Sequence, residues 1–292
     1  MDLSIPERAG RIGRARAGEP EGETVDEVLT DLSPPALARA IEANLSATWR
    51  SWGCSPHCEL HDDGDLVRYV TGIPFPLCNG VFDARLAADA DARIDETLAY
   101  FRERQLPLLW YVGPSNRPAD LGARLAARGL HGGDTPGMAA DLRALDEGQP
   151  TPAGLTIERV SDERMLRRFG QILCAGFGIP EFVGEAMTPI FIDLGLADDA
   201  PFRHYLASLD GGPVAAASAF LGAGVVGIYN VATLPQARRR GIGAAITLAP
   251  LREARALGYR VGVLGSSAEG YGVYRRLGFA EYCTLATYAW MP

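Results

Sequence analysis

The chain has 292 residues, of which 47% are hydrophobic and 22% are charged, so it is long enough for about two domains with well-formed cores. Its net charge of −8 argues against a general nucleic-acid-binding protein, and no apolar run reaches the roughly 18 residues that a membrane span needs. Five scattered cysteines and the lack of an apolar leader predict reduced thiols in a cytoplasmic protein.

The first half begins with a charged stretch poor in apolar residues, 1–30, which predicts a disordered tail. A helix over 36–51 follows, because Ser33 is a suitable N-cap, two prolines occupy the first turn and apolar residues recur at helical spacing. The remaining elements of this half are predicted as strands over 58–62, 66–72, 79–86, 108–112 and 136–142, and as helices over 90–104 and 118–129.

The polar segment 146–152 contains two prolines and predicts a linker between two domains, 31–145 and 153–292. Both halves run in the order strands, helix, strand, helix, strand, so we suspect a duplicated fold. The second half is predicted to contain strands over 155–160, 203–209, 213–221, 225–234, 259–266 and 279–289, with helices over 162–175, 183–194, 241–257 and 269–277.

The strand 225–234 runs into a turn with three consecutive arginines and two glycines, Gly241 and Gly243. Glycines let the backbone approach an anion, and the first amides of the following helix have no partner within it, so the turn predicts a phosphate site. A P-loop needs a lysine, which the chain lacks altogether, and a dinucleotide fingerprint needs a small residue where Ile246 stands. The pattern Arg/Gln-x-x-Gly-x-Gly/Ala, beginning at Arg238, fits at each constrained position.

A second motif lies downstream, where Ser267-Ala268-Glu269-Gly270 precedes Tyr274-Arg275-Arg276-Leu277-Gly278-Phe279. With the phosphate turn, it makes residues 153–292 resemble the GNAT acetyltransferase superfamily. The resemblance implies an α/β (mixed α+β) fold of two tandem GNAT-like domains, each a mixed, mostly antiparallel central sheet flanked by helices.

The resemblance also implies that acetyl-CoA binds as a co-substrate, with no metal. The backbone of Val231 and Thr233 would pair with the pantetheine arm, and the amides of residues 239–244 would hold the pyrophosphate. Tyr274 would protonate the leaving thiolate, because a positioned acid helps to expel it. The expected acetyl-CoA-binding residues are Val231, Ala232, Thr233, Arg238, Arg239, Arg240, Gly241, Ile242, Gly243, Ala244, Ser267, Gly270 and Tyr274, of which Tyr274 is also catalytic.

We expect an N-acetyltransferase that acts on a primary amine of a small molecule by direct attack in a ternary complex. An acidic groove that attracts a cationic amine would fit the net charge, and Glu181 and Glu185 are candidate bases. Alternatively, Tyr274 packs inward in a non-catalytic acyl-CoA sensor or interaction protein, or the acceptor is a protein or peptide. We expect no nucleic-acid or membrane partner, and a homodimer is compatible with the sequence.

The first half lacks the phosphate turn, because residues 85–93 contain no glycine pair and carry Asp89 and Asp91. We therefore expect residues 31–145 to form a degenerate GNAT-like domain without a CoA site. The cluster Cys54-x-x-His57-Cys58-x-x-His61 offers four ligand types that zinc accepts. The four residues are crowded into one short segment, whereas zinc sites usually combine two separated pairs, so we predict no metal.

Overall fold

The computed structural model describes residues 27–87 and 89–292. Most of the predicted tail therefore lies outside the described residues. Residues 27–30 are described, and the Leu29 amide donates to the carbonyl of Gly224 at 3.0 Å. Within the described ranges, no helix combines the length and apolar character needed to cross a membrane.

The first half contains the predicted helices and strands in the predicted order. The connection between the third strand and the second helix differs, because this strand ends at Phe82 rather than at residue 86. Asp83 has a left-handed φ of 54° and turns the chain away from the sheet. The elements are α1 (Pro34–Ser51), β1 (Glu59–Asp62), β2 (Val67–Val70), β3 (Asn79–Phe82), α2 (Ala90–Glu103), β4 (Leu108–Val112), α3 (Leu121–Ala127) and β5 (His131–Asp141).

The second half also follows the prediction. Its element types are confirmed, and most boundaries agree within two residues. They are β6 (Leu155–Arg159), α4 (Glu163–Phe177), α5 (Glu181–Asp193), β7 (Phe202–Leu209), β8 (Gly212–Gly222), β9 (Val225–Thr233), α6 (Ile242–Ala256), β10 (Val261–Gly265), α7 (Ala268–Leu277) and β11 (Ala280–Trp290).

All eleven strands form one sheet in the order β1-β2-β3-β4-β11-β5-β10-β9-β8-β7-β6. Only β3 with β4 and β9 with β10 run parallel, and every other neighbouring pair is antiparallel. Each parallel pair is joined by a helix, α2 in the first half and α6 in the second, as a parallel connection requires. The predicted mixed, mostly antiparallel fold class is confirmed.

The two halves exchange their last strands. β5 of the first half pairs with β10, while β11 of the second half pairs with β4. β5 and β11 also pair with each other over nine positions, from Ala280↔Ala139 to Ala289↔His131. The sheet is therefore continuous across both halves. The division into domains at 31–145 and 153–292 stays a prediction.

Helix α1 joins the first half to strand β9 through the fully buried Asn44. The Asn44 Nδ2 donates to the carbonyl of Gly222 at 2.8 Å, and its Oδ1 accepts from the Tyr229 hydroxyl at 2.7 Å. Gly227 makes room for this amide, because a Cβ there would lie 1.8 Å from Asn44 Oδ1. Asn44 thus fixes the side chain of Tyr229 near the end of β9.

Candidate active site

Strand β9 carries a bulge immediately after Tyr229. Ser218 of β8 pairs with Tyr229 and Ala216 pairs with Ala232, so Asn230 and Val231 together face a single residue of β8. Asn230 adopts a left-handed φ of 55°, which asparagine tolerates better than most residues. The bulge redirects the end of β9.

The two parallel strands of the second half separate at this bulge. β9 and β10 pair at three positions only, the last of which is Ile228↔Leu264. A cavity of about 240 Å³, here called the strand cleft, opens beyond that pair. Its lining includes Tyr229, Asn230, Val231, Leu264, Ser267 and Tyr274. The fold thus brings Val231, Ser267 and Tyr274, three of the predicted site residues, to one opening.

Beyond the bulge, the backbone of β9 directs alternate residues toward β8 and away from it. The amide of Leu234 donates to the carbonyl of Val214 on the β8 side at 2.9 Å. Because strand groups alternate in direction, the amides of Val231 and Thr233 point to the opposite side, where β10 no longer pairs. These are the two residues predicted to pair with a pantetheine arm, and that role stays a prediction.

The turn between β9 and α6 presents unpaired backbone amides. Among the described residues, none accepts a hydrogen bond from the amides of 239–244, and the first helical bond runs from the Ala245 amide to the Gly241 carbonyl at 3.0 Å. Arg239 and Gly241 have φ values of 64° and 81°, a left-handed pattern that curves successive amides toward one point. This geometry suits a phosphate group.

The two glycines of the turn differ in their surroundings. A Cβ on Gly241 would lie 2.1 Å from the carbonyl oxygen of Pro150 in the segment 146–152. Gly243 has open space, since its nearest neighbour would be Thr233 Oγ1 at 3.8 Å. Gly241 is therefore required by packing and by its φ, whereas Gly243 leaves room for a ligand.

The three arginines of the turn do not have equivalent surroundings. The Arg238 guanidinium donates to the carbonyls of Thr233 at 3.1 Å and Gly176 at 2.9 Å, so it braces the turn against β9 and α4. Arg239 and Arg240 are exposed, and neither side chain pairs with a described residue. Their charges remain available for an anion.

Tyr274 lies in α7, whose N-cap Ser267 accepts a hydrogen bond from the Gly270 amide at 3.1 Å. The Tyr274 ring is 8% exposed and packs edge-to-face on Phe279 with ring centroids 6.0 Å apart, yet it also borders the strand cleft. Burial raises the Tyr274 pKa to about 12, so the hydroxyl keeps its proton at neutral pH. The residue can therefore donate a proton into the cleft.

Comparison with protein families agrees with this geometry. Residues 200–281, which include β9, the phosphate turn and all of α7, match the family model for the acetyltransferase (GNAT) domain. By this match, residues 200–281 form a GNAT-type domain. The domain supports acetyl transfer in general, and acetyl-CoA is the donor that this family implies.

Solved structures share the fold of the whole chain at low identity. A GCN5-related N-acetyltransferase from Kribbella flavida is 20% identical, with 85% of this chain and 95% of that chain covered at a TM-score of 0.65. One from Sphaerobacter thermophilus is 18% identical, with 91% and 94% covered at 0.58. A tandem GNAT protein from the clavulanic acid biosynthesis pathway is 16% identical, with 91% and 97% covered at 0.55. No curated protein gives a significant sequence match.

Gly270 leaves room for the ring of Tyr274, because a Cβ on Gly270 would lie 2.7 Å from Tyr274 Cε2. We expect Gly270→Ala to displace the ring and lower kcat of acetyl transfer about tenfold or more, with little change in acetyl-CoA affinity. Gly272→Ala is the matched control, since its nearest neighbour is the flexible tip of Arg276 at 3.5 Å. Steady-state kinetics and calorimetry check both variants, and equal kcat values would contradict this role of Gly270.

A second cavity of about 110 Å³, here called the apolar cavity, lies beneath α4 and α5. Tyr229 and Asn230 line both this cavity and the strand cleft, so the two spaces adjoin at the bulge. No charged side chain is among the described residues that line it. Its walls include Trp49, Trp52, Phe169, Leu173, Met187 and Phe191.

The candidate bases are not at either cavity. Glu181 and Glu185 are exposed on α5 and line neither the strand cleft nor the apolar cavity. The expected acidic groove is likewise missing from these two cavities, whose described lining contains no Asp or Glu. The fold turns the glutamates outward because the apolar side of α5, with Val183 and Met187, packs inward.

The side chain of Asn230 is held by the buried pair of Ser218 and His204, which sequence analysis did not predict. Its Nδ2 donates to Ser218 Oγ at 3.1 Å, and Ser218 Oγ lies 2.9 Å from Nδ1 of His204. Burial among aromatic rings, with the positive charge of Arg159, lowers the His204 pKa to about 3. His204 is therefore neutral at physiological pH and acts on Asn230 through Ser218.

The cysteine–histidine cluster of the first half does not converge. His57 faces Asp193 at 4.0 Å and His61 pairs with Glu59 at 3.1 Å, while Cys58 is buried. Across the described residues, no group of three or more His, Cys, Asp or Glu side chains is arranged to hold a metal ion.

Proposed function

We propose that the chain is an N-acetyltransferase that moves an acetyl group from acetyl-CoA to a primary amine of a small molecule, by direct attack in a ternary complex. The observation that carries this proposal is the position of Tyr229 and Asn230, which line both the strand cleft and the apolar cavity. The strand cleft borders these residues on the side of Ser267 and Tyr274, and the apolar cavity borders them beneath α4 and α5.

The residues present fit acetyl-CoA as the donor. The six consecutive amides 239–244 find no acceptor among the described residues and, with the exposed Arg239 and Arg240, suit a pyrophosphate. The free amides of Val231 and Thr233 suit the amide groups of a pantetheine arm. Acetyl-CoA supplies the activated thioester, whose sulfur is the leaving group.

In the proposed step a nitrogen–carbon bond forms between the amine and the acetyl carbonyl carbon, and the carbon–sulfur bond breaks. Tyr274 donates its hydroxyl proton to the departing sulfur and regains one from solvent. The amine proton leaves to water, because neither Glu181 nor Glu185 lines the cavities. An amide near Val231 would stabilise the negative charge that develops on the carbonyl oxygen.

We also propose that residues 31–145 form a degenerate GNAT-like domain, so that one chain binds one acetyl-CoA. The pairing of β3 with β4 resembles that of β9 with β10, which supports duplication. In the first half, however, the Leu86 amide already donates to the carbonyl of Arg117 at 3.0 Å, and Asp91 pairs with Arg124 and Arg128. A cytoplasmic location fits five free cysteines.

The test combines calorimetry with an assay of thiol release from acetyl-CoA. One acetyl-CoA should bind per chain, and a pooled library of small amines should accelerate thiol release. Binding without acceleration by amines or peptides would favour the acyl-CoA sensor. Acceleration by peptides alone would favour a protein or peptide acetyltransferase, and two equivalents bound would refute the degenerate first half.

A further inference from the structure

We infer that the apolar cavity holds the acceptor, and that this acceptor is a primary amine carried on a single aromatic ring. The inference rests on the acetyl transfer proposed above and names its acceptor class. It follows from the size of the cavity, the nature of its walls and the position of its few polar groups.

The size of the apolar cavity fits one ring. Its volume is about 110 Å³, and engineered apolar cavities of roughly 150 Å³ are known to bind benzene. A sugar, a polyamine or a peptide side chain with its backbone would not fit within this space. The cavity therefore selects a small, compact acceptor.

The walls of the apolar cavity include aromatic side chains that hold one another in place by ring-to-ring packing. Trp49 stacks on Tyr69 at 5.0 Å and meets Trp52 edge-on at 4.9 Å, while Trp52 meets Phe191 edge-on at 6.2 Å. Phe191 in turn packs edge-to-face on Phe169 at 6.3 Å. Such preformed walls favour another aromatic ring in offset or edge-to-face contact, at little cost in side-chain ordering.

The hydroxyl groups that line the apolar cavity are all engaged in hydrogen bonds. The hydroxyls of Thr48 and Thr188 donate to carbonyls within their own helices, and the Tyr229 hydroxyl donates to Asn44. Among the described residues, the indole N–H groups of Trp49 and Trp52 find no acceptor, and no donor reaches Asn230 Oδ1. Of these three groups only Asn230 Oδ1 can accept a hydrogen bond. This oxygen lies where the cavity meets the strand cleft, so it can accept a hydrogen bond from the acceptor amine at the point of transfer.

The absence of charged groups from the described lining also bears on the amine. A cationic ammonium in an apolar space without a carboxylate loses its hydration, so its pKa falls and the neutral, nucleophilic form is favoured. The cavity can thus supply free amine without a carboxylate base. The entrances to the two spaces are apolar too. Leu77, which lines the apolar cavity, is 44% exposed, and Phe177, which lines the strand cleft, is 52% exposed.

The kinetic test compares benzylamine with two polar amines, ethanolamine and spermidine, in the thiol-release assay. We expect kcat/KM for benzylamine to be about tenfold or more above both, because only its ring is buried. Leu173→Trp, which fills the apolar cavity from α4, should lower kcat/KM for benzylamine about tenfold or more. Leu257→Trp, at a 54% exposed position after α6, is the matched control and should leave it unchanged.

A binding test works without turnover and is read on the parent protein, with variants used only to assign its signals. The indole N–H signals of the four tryptophans are recorded by NMR with CoA present while benzylamine is added. Trp49 and Trp52 line the cavity and should shift, whereas Trp110 and Trp290 do not line it and should stay. The Trp49→Phe and Trp52→Phe variants assign the signals.

The outcomes separate this inference from the proposed function. Turnover of ethanolamine or spermidine above benzylamine, or silent Trp49 and Trp52 signals, would overturn the acceptor class while acetyl transfer stands. Shifts caused by benzoyl-CoA but not by benzylamine would assign the cavity to the acyl group and would equally overturn it. A failure to bind acetyl-CoA, with benzylamine still shifting both signals, would overturn only the proposed function.

Discussion

Tyr274→Phe should lower kcat of acetyl transfer by about a hundredfold or more while leaving acetyl-CoA affinity within about twofold, in line with the usual contribution of a positioned acid. The phenylalanine ring keeps the edge-to-face contact with Phe279, so the fold and the shape of the strand cleft are preserved. Only the proton donor is lost. Steady-state kinetics with a saturating amine and calorimetry with acetyl-CoA measure the two quantities.

Tyr271→Phe is the matched control for this prediction. Tyr271 lies one turn earlier on α7, and its hydroxyl donates to Glu281 away from the strand cleft, so its loss should leave kcat unchanged. Equal rates for Tyr274→Phe and the parent protein would show that Tyr274 only packs against Phe279. That result would favour the sensor, or a mechanism in which water protonates the thiolate.

The pH dependence of the rate of acetyl transfer should not reflect ionisation of Tyr274. Because burial raises its pKa to about 12, the hydroxyl stays protonated throughout an ordinary assay range. A rise in rate with pH would therefore reflect deprotonation of the amine, and Tyr274→Phe should lower the profile without shifting its midpoint.

Gly243→Asp should weaken acetyl-CoA binding by about a hundredfold or more. The new carboxylate would stand beside the amides of 239–244, where a like charge at a few ångströms opposes the pyrophosphate by several kcal/mol at an effective dielectric of about 20. The open space around Gly243 accepts the side chain, and an acidic residue in the first turn of α6 favours the helix. We therefore expect stable protein that has lost its affinity, as measured by calorimetry and by the thermal shift with acetyl-CoA.

Gly243→Asn separates charge from bulk, since it has nearly the same size and no charge. It should weaken binding far less than the aspartate does. If both variants lose acetyl-CoA affinity to a similar extent, the size of the side chain rather than its charge causes the effect. If neither variant loses affinity, the pyrophosphate does not bind at this turn. Gly241 is a poorer test site, because its left-handed φ and its contact with Pro150 would disturb the fold in any variant.

Local features were readable from the sequence. The helices and strands follow from periodicity, caps and turn residues, and the unpaired amides of 239–244 follow from two glycines before a helix. The position of Tyr274 at the cleft agrees with its motif. These features depend on residues within about two turns of each other, so the sequence carries them directly.

Features built from distant residues were not predicted. Asn44 contacts Tyr229, which lies 185 residues later in the sequence. Trp49 and Trp52 of the first half line a cavity beneath helices of the second half. Only tertiary packing brings these residues together, and helical spacing alone assigned Trp49 to a helix face. The same applies to the exposed Glu181, whose direction depends on which face of α5 is buried.

The exchange of β5 and β11 has a consequence for synthesis of the chain. β11 is made after all the other described strands, yet it lies inside the sheet, between β4 and β5. Until it arrives, the nascent first half carries unpaired strand edges, which invite association with other chains. A strand that is made late thus completes the interior of the sheet, and deletion of β11 would open the sheet between β4 and β5 rather than remove an edge strand.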